Sequence, residues 1–255
     1  MRRVIVVTFF AVLLGAAGSA SAASDLSAGV RGAYWFPELS GNAQTTTNGV
    51  QDTRFDVKDT LGMKDENIPY GEAFLRYGRT TLRVGYARLS FDGSKTLTDN
   101  VVFNGVPYSV SDNVVSKLEM KTADAEVQID LLRPDLGVAD FNLGLILKLK
   151  YVDGEVELRG TAQTERRDFQ APIPMIGVAV GVGALKDVLR ADARATGIAY
   201  SGNHLYEADV FASLTPLPFL RIQGGYRLID LKIDESDILA SFRLKGPYAG
   251  AQLSF

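Results

Sequence analysis

The chain has 255 residues, a formal net charge of −3, 22% charged and 46% hydrophobic residues, and no cysteine. That composition excludes a disulfide framework and a cysteine-linked lipid anchor. It gives no electrostatic footing for nucleic acid and is too polar for a bundle of membrane helices, but it permits a β-barrel, in which only alternate residues need be apolar.

Met1-Arg2-Arg3, the apolar run Val4–Leu14 and the small residues ending at Ala20-Ser21-Ala22 follow the order of a secretory signal peptide. The run is too short to span a bilayer as a helix. The expected organisation is therefore a leader, 1–22, and one β domain, 23–255. Leu26–Phe36 alternates as a strand, with Val30 and Tyr34 opposite Arg31 and Trp35. Pro37–Pro69 reads as a polar loop. The strand carrying Ala73 and Leu75 turns near Gly78-Arg79 into one carrying Leu82, Val84 and Tyr86 against Arg83 and Gly85. Leu89 and Phe91 then continue the apolar set at the wrong parity, which predicts a bulge near Ala87-Arg88. Asp92–Val115 is a second long connection. Within it, Asn104-Gly105 between Val101-Val102-Phe103 and Val106 is a hairpin-turn signal.

In the fourth strand Ala123, Ala125, Val127, Ile129 and Leu131 oppose Asp124, Glu126 and Asp130. After Arg133-Pro134-Asp135, Phe141 to Tyr151 alternates with a period of two over eleven residues, setting leucines against Asp140, Lys148 and Lys150. Asp153–Gln170 reads as a third polar connection. Strands follow at Ile176–Val182 with glycine on the polar face, Leu189–Ala199 with Arg190, Asp192 and Arg194, and Tyr206–Ala212 with Glu207 and Asp209. The last two are Leu220–Leu228, with Arg221 and Arg227, and Ser236–Phe255. The last strand also changes parity, between Leu244 and Ala249, so a bulge is expected at Gly246-Pro247, and the strand is expected to pair with Leu26–Phe36 and close the sheet. The fold class is thus all-β, a closed antiparallel up-and-down barrel of about ten strands, with eight as the alternative.

Alternation alone does not say which face points outward. Three features favour an apolar exterior in lipid. The early connections alternate long and short, as they do in transmembrane barrels. Aromatics fall at two levels: Tyr77, Phe141, Phe219 and Phe255 at one rim, Phe36, Phe91, Tyr151, Tyr200 and Tyr206 at the other. The polar face pairs by sign, so Arg83, Arg88, Asp124, Glu126, Asp130, Lys148, Lys150, Arg190, Asp192, Arg194, Glu207, Asp209, Arg221 and Arg227 are expected to form a charge network inside the lumen.

The leader, the alternating strands and the ending Gln252-Leu253-Ser254-Phe255 resemble a Gram-negative outer-membrane β-barrel protein. The resemblance implies an outer-membrane location, lipid and lipopolysaccharide as neighbours, and Phe255 as a signal read by the barrel-assembly machinery. More narrowly, Gly224-Gly225-Tyr226-Arg227 and Gly246-Pro247-Tyr248-Ala249-Gly250 resemble a group of small outer-membrane proteins with a Gly-Gly motif, and more loosely the OmpW- and OmpA-type barrels. Neither motif brings catalytic residues with it.

His204, in the turn Ser201-Gly202-Asn203-His204, is the only histidine. Parity sets it on the opposite face from Glu207 and Asp209, so no catalytic role is expected. Asp52, Asp56, Asp59, Asp65 and Glu66 are acidic enough to attract calcium, but they read as polar surface loop; no metal and no cofactor are expected. The expected function is that of an outer-membrane barrel with a structural or surface-exposed role and little conductance. The alternatives are a narrow porin-like channel for small polar solutes, a hydrolase, or a hydrophobic-ligand transporter.

Overall fold

A computed structural model describes residues 26–47, 49–134, 137–161, 163–185, 187–235 and 238–255, so the expected leader lies outside the described residues. The strands are β1 (Leu26–Trp35), β2 (Glu38–Thr47), β3 (Val50–Gln51), β4 (Phe55–Asp56), β5 (Ile68–Tyr77), β6 (Thr80–Thr96), β7 (Val101–Phe103), β8 (Val106–Tyr108), β9 (Asn113–Leu132), β10 (Ala139–Arg159), β11 (Thr164–Ala184), β12 (Leu189–Tyr200), β13 (Asn203–Leu217), β14 (Leu220–Glu235) and β15 (Ile238–Ser254). The wall is a closed antiparallel barrel of ten strands, counting β1 and its continuation β2 as one. It closes where β1 pairs with β15, from Gly29↔Ser254 to Trp35↔Tyr248. The last strand is thereby paired on both sides, and its backbone is not left as an open edge.

A transmembrane strand needs roughly 9–11 residues, yet β10 and β11 have 21 each and β9 has 20. The surplus lies at the end away from the short turns, called here the loop end. At a common level along the long strands, the apolar residues change face. On β6, Leu82, Val84 and Tyr86 point outward and are exposed, whereas Ala87, Leu89 and Phe91 point inward and are buried, Phe91 completely at 0% exposure. On β10 the outward row of leucines ends at Tyr151 and is continued by Asp153, Glu155, Glu157 and Arg159, while Leu158 is buried on the inner face. On β14 the switch falls between outward Leu228 and inward Ile229, and on β15 between outward Pro247 and Ala249 and buried Leu244. The turn-end half is therefore apolar outside and polar inside. The loop-end half is polar outside and apolar inside, as a sheet standing in water requires.

This inversion corrects both expected bulges. The β6 ladder to β9 runs from Thr80↔Ile129 to Thr96↔Asn113 without a register shift. Strand β15 passes through Gly246-Pro247 in unbroken register with β14, and Lys245↔Glu38 continues the register of Tyr248↔Trp35. The parity change marks a change of surroundings at constant geometry. The register shifts that do occur lie at the turn end, between Leu143 and Gly144 against β9 and between Leu214 and Leu217 against β14. Two expected loops are also largely strand: Glu38–Thr47 extends β1 past Pro37, and Asp153–Gln170 is the paired top of β10 and β11. The aromatic Phe91 belongs to the inner core and not to a rim. The hairpin β7–β8 forms where the sequence places it, with Asn104 and Gly105 both at positive φ (51° and 75°), as a two-residue turn of this kind requires.

The inner core of the loop-end half gathers Trp35, Leu39, Leu89, Phe91, Val114, Leu118, Leu158 and Leu244 from the wall with Phe55, Val57, Leu61 and Met63 from the β4 segment and Phe103 and Tyr108 from the β7–β8 hairpin. Burying each large apolar side chain contributes about 1.5–3 kcal/mol. The β4 segment is stitched to the wall by Asn42↔Asp56, by the bridge Met63↔Gly93 and by the Lys64 amide donating to the Asp92 carbonyl at 3.1 Å. The hairpin is held from three sides. The Asn104 amide donates to Thr45 Oγ1 (2.9 Å), Asn104 Nδ2 to Glu165 Oε1 (2.6 Å), and the Tyr108 hydroxyl to the Leu158 carbonyl (3.1 Å).

Candidate functional site: the charged lumen

Below the apolar core, the inward positions of nearly every strand carry charge, and alternation aims them at one another. Nearest the core, Arg194 of β12 donates to Asp209 Oδ2 (2.9 Å) and lies 3.7 Å from Glu72 and 3.8 Å from Glu126. Arg83 donates to Glu126 Oε1 (2.7 Å) and Gln128 Oε1 (2.9 Å). Lys150 donates to Asp124 (2.5 Å) and Lys148 to Glu207 (2.5 Å), each lysine also reaching the other's carboxylate, at 3.1 Å for Lys150 to Glu207 and 3.4 Å for Lys148 to Asp124. Toward the turn end, Asp130 accepts from Arg76 at 2.9 Å. There Arg190 is surrounded by Asp140 (2.7 Å), Asp192 (2.9 Å), Asp187 (3.3 Å) and Asn142, and Arg221 donates to Asp187 at 2.6 Å.

Of the fourteen charges expected in the lumen, the structure brings thirteen to the inner face. Arg88 is the correction. With the β6 register unbroken, it points outward above the apolar belt, where it pairs with Glu119. Glu119 also accepts from Lys117 at 3.0 Å. Hydrogen bonds from Lys117 and Arg88 hold the Glu119 carboxyl below its ordinary range.

Sequence reasoning left out Arg31, Tyr70, Glu72, Arg76 and Tyr248. Arg31 and Glu72 are register partners on β1 and β5. Arg31 donates to the Tyr248 hydroxyl at 2.7 Å and lies 4.9 Å from the Phe211 ring centroid, while Tyr70 donates to Glu72 at 2.5 Å. Their parity was the available signal, since both arginines and Glu72 share the polar face of their strands. The tyrosines gave no such signal, because a tyrosine suits a lipid-facing rim equally well. Arg227 sits over the rings of Tyr70 (5.0 Å) and Trp35 (5.4 Å), a cation–π arrangement that joins the charged layer to the apolar core. The Gly-Gly motif also acquires a packing reason. A Cβ on Gly225 would lie 2.5 Å from the Val210 carbonyl and 2.6 Å from Phe211 Cβ, so glycine leaves room for the aromatic that Arg31 and Arg194 stack on.

Within the network is a cavity of about 40 Å³, bounded by Tyr70, Arg83, Lys148, Arg194, Glu207 and Arg227, enough for a few waters. Asp209 Oδ1, a buried oxygen beside the cavity without a protein hydrogen bond, gives such waters a partner. His204 faces outward, stacked on Tyr206 at 4.9 Å with its Nε2 3.3 Å from Asp230. Glu207 and Asp209 lie on the other side of the wall. The loop carboxylates serve separate partners. Asp52 accepts from Thr45 and Thr47, Asp56 from the amides of Lys58 and Asp59, and Asp65 from the Leu39 amide and Lys58. Among the described residues no group of three or more metal-ligating side chains converges.

An apolar outer belt, bounded by Tyr34, Tyr86, Tyr151 and Tyr206 at one edge and by Tyr77, Phe219 and Phe255 at the other, surrounds this polar interior. Among the described residues charge lies in the lumen, above the belt, or in the short turns below it, as with Arg79 and Arg133. The fold is that of a Gram-negative outer-membrane β-barrel. Among solved structures the chain is similar to the outer-membrane protease OmpT from Escherichia coli, at a TM-score of 0.57 and 10% identity over 93% of this chain and 99% of that one. It also aligns with Ail, the attachment invasion locus protein of Yersinia pestis (TM-score 0.37, 10% identity, 91% and 99% covered). A further match is Neisserial surface protein A (0.36, 13%, 91% and 98%). Only the first score is high enough to carry an argument, and at that identity it speaks for the barrel alone. No family model and no curated protein sequence matches the chain.

Proposed function

We propose that this barrel is closed to through-passage and acts at the cell surface through its loop-end half. The observation that supports this is its double closure. The lumen inside the lipid belt is occupied by paired charges, and above them the β4 segment and the β7–β8 hairpin complete an apolar core across the bore. An ion would have to break charge-assisted hydrogen bonds and then cross a dry layer. The reading includes lipid and lipopolysaccharide as neighbours of the outer surface, Phe255 as an assembly signal, and kinship with the small Gly-Gly barrels. It includes no catalytic step, since His204 and the lumen carboxylates lie on opposite faces of β13.

A narrow channel for small polar solutes is the second reading, favoured by the cavity beside Arg227 and Lys148. Planar-bilayer recording separates the two. The purified protein should give no steady conductance, and neither should Arg221→Ala or Arg227→Ala. Stable channels that widen in either variant would replace the closed reading with the pore.

A further inference from the structure

The barrel wall is complete through the lower lipid belt, but between β11 and β12 its pairing ends before the upper edge of the belt. The β11–β12 ladder stops at Ile176↔Gly197, although β11 runs on to Thr164 and β12 to Tyr200. The next pairs would have joined Met175, Pro174 and Ile173 to Ile198, Ala199 and Tyr200. Pro174 and Pro172 share one parity and supply no amide proton, while the ladder to β10 continues past both, as Leu149↔Pro174 and Tyr151↔Pro172. The missing donors therefore lie on the edge facing β12, where proline is expected to end a ladder. The β12–β13 hairpin turns back at Ser201-Gly202, so β11 above Ile176 has no paired strand on that side, while the top of β14 stays tied to the hairpin through the Asp234 amide donating to Asn203 Oδ1 at 2.6 Å.

A second interruption of the wall, between β2 and β6 above the start of β5, is filled by Phe55–Met63. Among the described residues no strand pairs across the first. Behind it, Ile198, Leu205, Leu231 and Phe242 are consecutive register partners across β12, β13, β14 and β15, forming an apolar row on the inner face. Met175, Ile173 and Phe169 stand on the inner face of β11. Most of these side chains lie outside the dense inner core. Below the row, Glu207 with Lys148 and Lys150 forms a charged floor.

We propose that this interruption of the wall admits a hydrocarbon chain of an outer-leaflet lipid among the apolar side chains behind it. The interruption is continuous with the lipid-facing surface. Pro172 is in register with the belt residue Tyr151, and the other flank carries Tyr206, exposed on the outer face, with Tyr200 ending β12 on the inner parity of Ile198. A chain entering at that level meets apolar side chains and stops at the charged floor, so the lumen stays closed to solutes. The inference rests on the membrane orientation of the barrel and not on its conductance, so a conducting barrel would leave the test below unchanged.

The test uses the full barrel reconstituted in phosphatidylcholine vesicles, with and without bromine on the acyl chains, because bromine quenches tryptophan on contact. The only native tryptophan is Trp35, which is buried in the inner core. Ile198→Trp and Ile173→Trp place a reporter on either flank of the interruption, and Val178→Trp places one on the lipid-facing wall. Heat-modified gel mobility identifies folded protein, and either flank variant suffices if the other fails to fold. The added emission of Ile198→Trp or Ile173→Trp should fall by about as much as that of Val178→Trp, while wild-type emission stays nearly unchanged. Flank reporters as protected as Trp35 would overturn the proposal, whether the interruption is sealed or covered by a second copy. Restoring the donors with Pro172→Thr/Pro174→Thr should lower flank quenching and leave Val178→Trp quenching as it was; flank quenching unchanged in the folded double variant would refute the interruption as the route.

Discussion

Leu147 and Glu155 lie on the same outward face of β10, eight positions apart. At about 3.3 Å per residue and a tilt near 45°, that is roughly 19 Å of height. Leu147 sits near the middle of the outward row Phe141–Tyr151, whereas Glu155 stands above Tyr151 and pairs with Arg166. If the outer face passes from lipid to water at Tyr151, Leu147→Arg should cost about 2–4 kcal/mol, the range for arginine near the bilayer midplane. That is roughly a 30- to 1,000-fold loss in the folding equilibrium. Glu155→Arg should cost under about 1 kcal/mol, because it loses only an exposed ion pair. Urea titration of the barrel refolded into vesicles, with the folded fraction read from gel mobility, measures both. Equal costs at the two positions, or the larger one at Glu155, would refute the assignment of the belt and the face inversion with it.

Phe91→Ala, in the completely buried inner core, should cost about 3–5 kcal/mol in the same titration, and a loss below about 1 kcal/mol would mean that the loop-end core is not packed. Arg194→Met leaves Glu72, Glu126 and Asp209 without their shared cation and should cost about 3–5 kcal/mol. Arg88→Met removes only an exposed partner of Glu119 and should stay within about 1 kcal/mol; similar losses in both would move Arg88 back into the lumen. Asp65 offers a pH test outside the membrane. Burial alone would raise its carboxyl, but the bonds from Lys58 and the Leu39 amide hold it below its ordinary value of 3.8. Its contribution is therefore present above that value and is lost as pH falls through the lowered one. Asp65→Asn should lose less stability than wild type on acidification from about pH 6 to pH 3, and parallel unfolding profiles would contradict this.

The barrel was legible in the sequence because alternation along β10, from Phe141 to Tyr151, admits no helical reading, and because the charges beside it balance by sign. The two expected bulges failed for a single physical reason. Parity reports which face is apolar, and in a strand longer than the bilayer that face changes with no change in backbone geometry. Leu89 and Phe91 looked like a slip because lipid was assumed to continue outside them. Glu38–Thr47 and Asp153–Gln170 read as loops for the related reason that a strand with water outside shows charge where a lipid-facing strand shows leucine. Arg88 was misassigned by the same error. The aromatic cage around Arg31 was hidden because Tyr70, Phe211 and Tyr248 carry no sign to pair.

The change of face on β6, β9, β10, β14 and β15 also acts as a depth gauge. Sliding the barrel inward by one turn of alternation would carry Arg88, Lys121 and Asp153 together toward hydrocarbon, while sliding it outward would bare Tyr86, Ala123 and Tyr151 to water. Arg88↔Lys121↔Asp153 and Tyr86↔Ala123↔Tyr151 are neighbouring rows of register partners, so both penalties begin within two residues of the same line. The molecule is thus held at one height in the membrane by opposed solvation costs, and the surface it presents outside is held at a constant distance from the lipid.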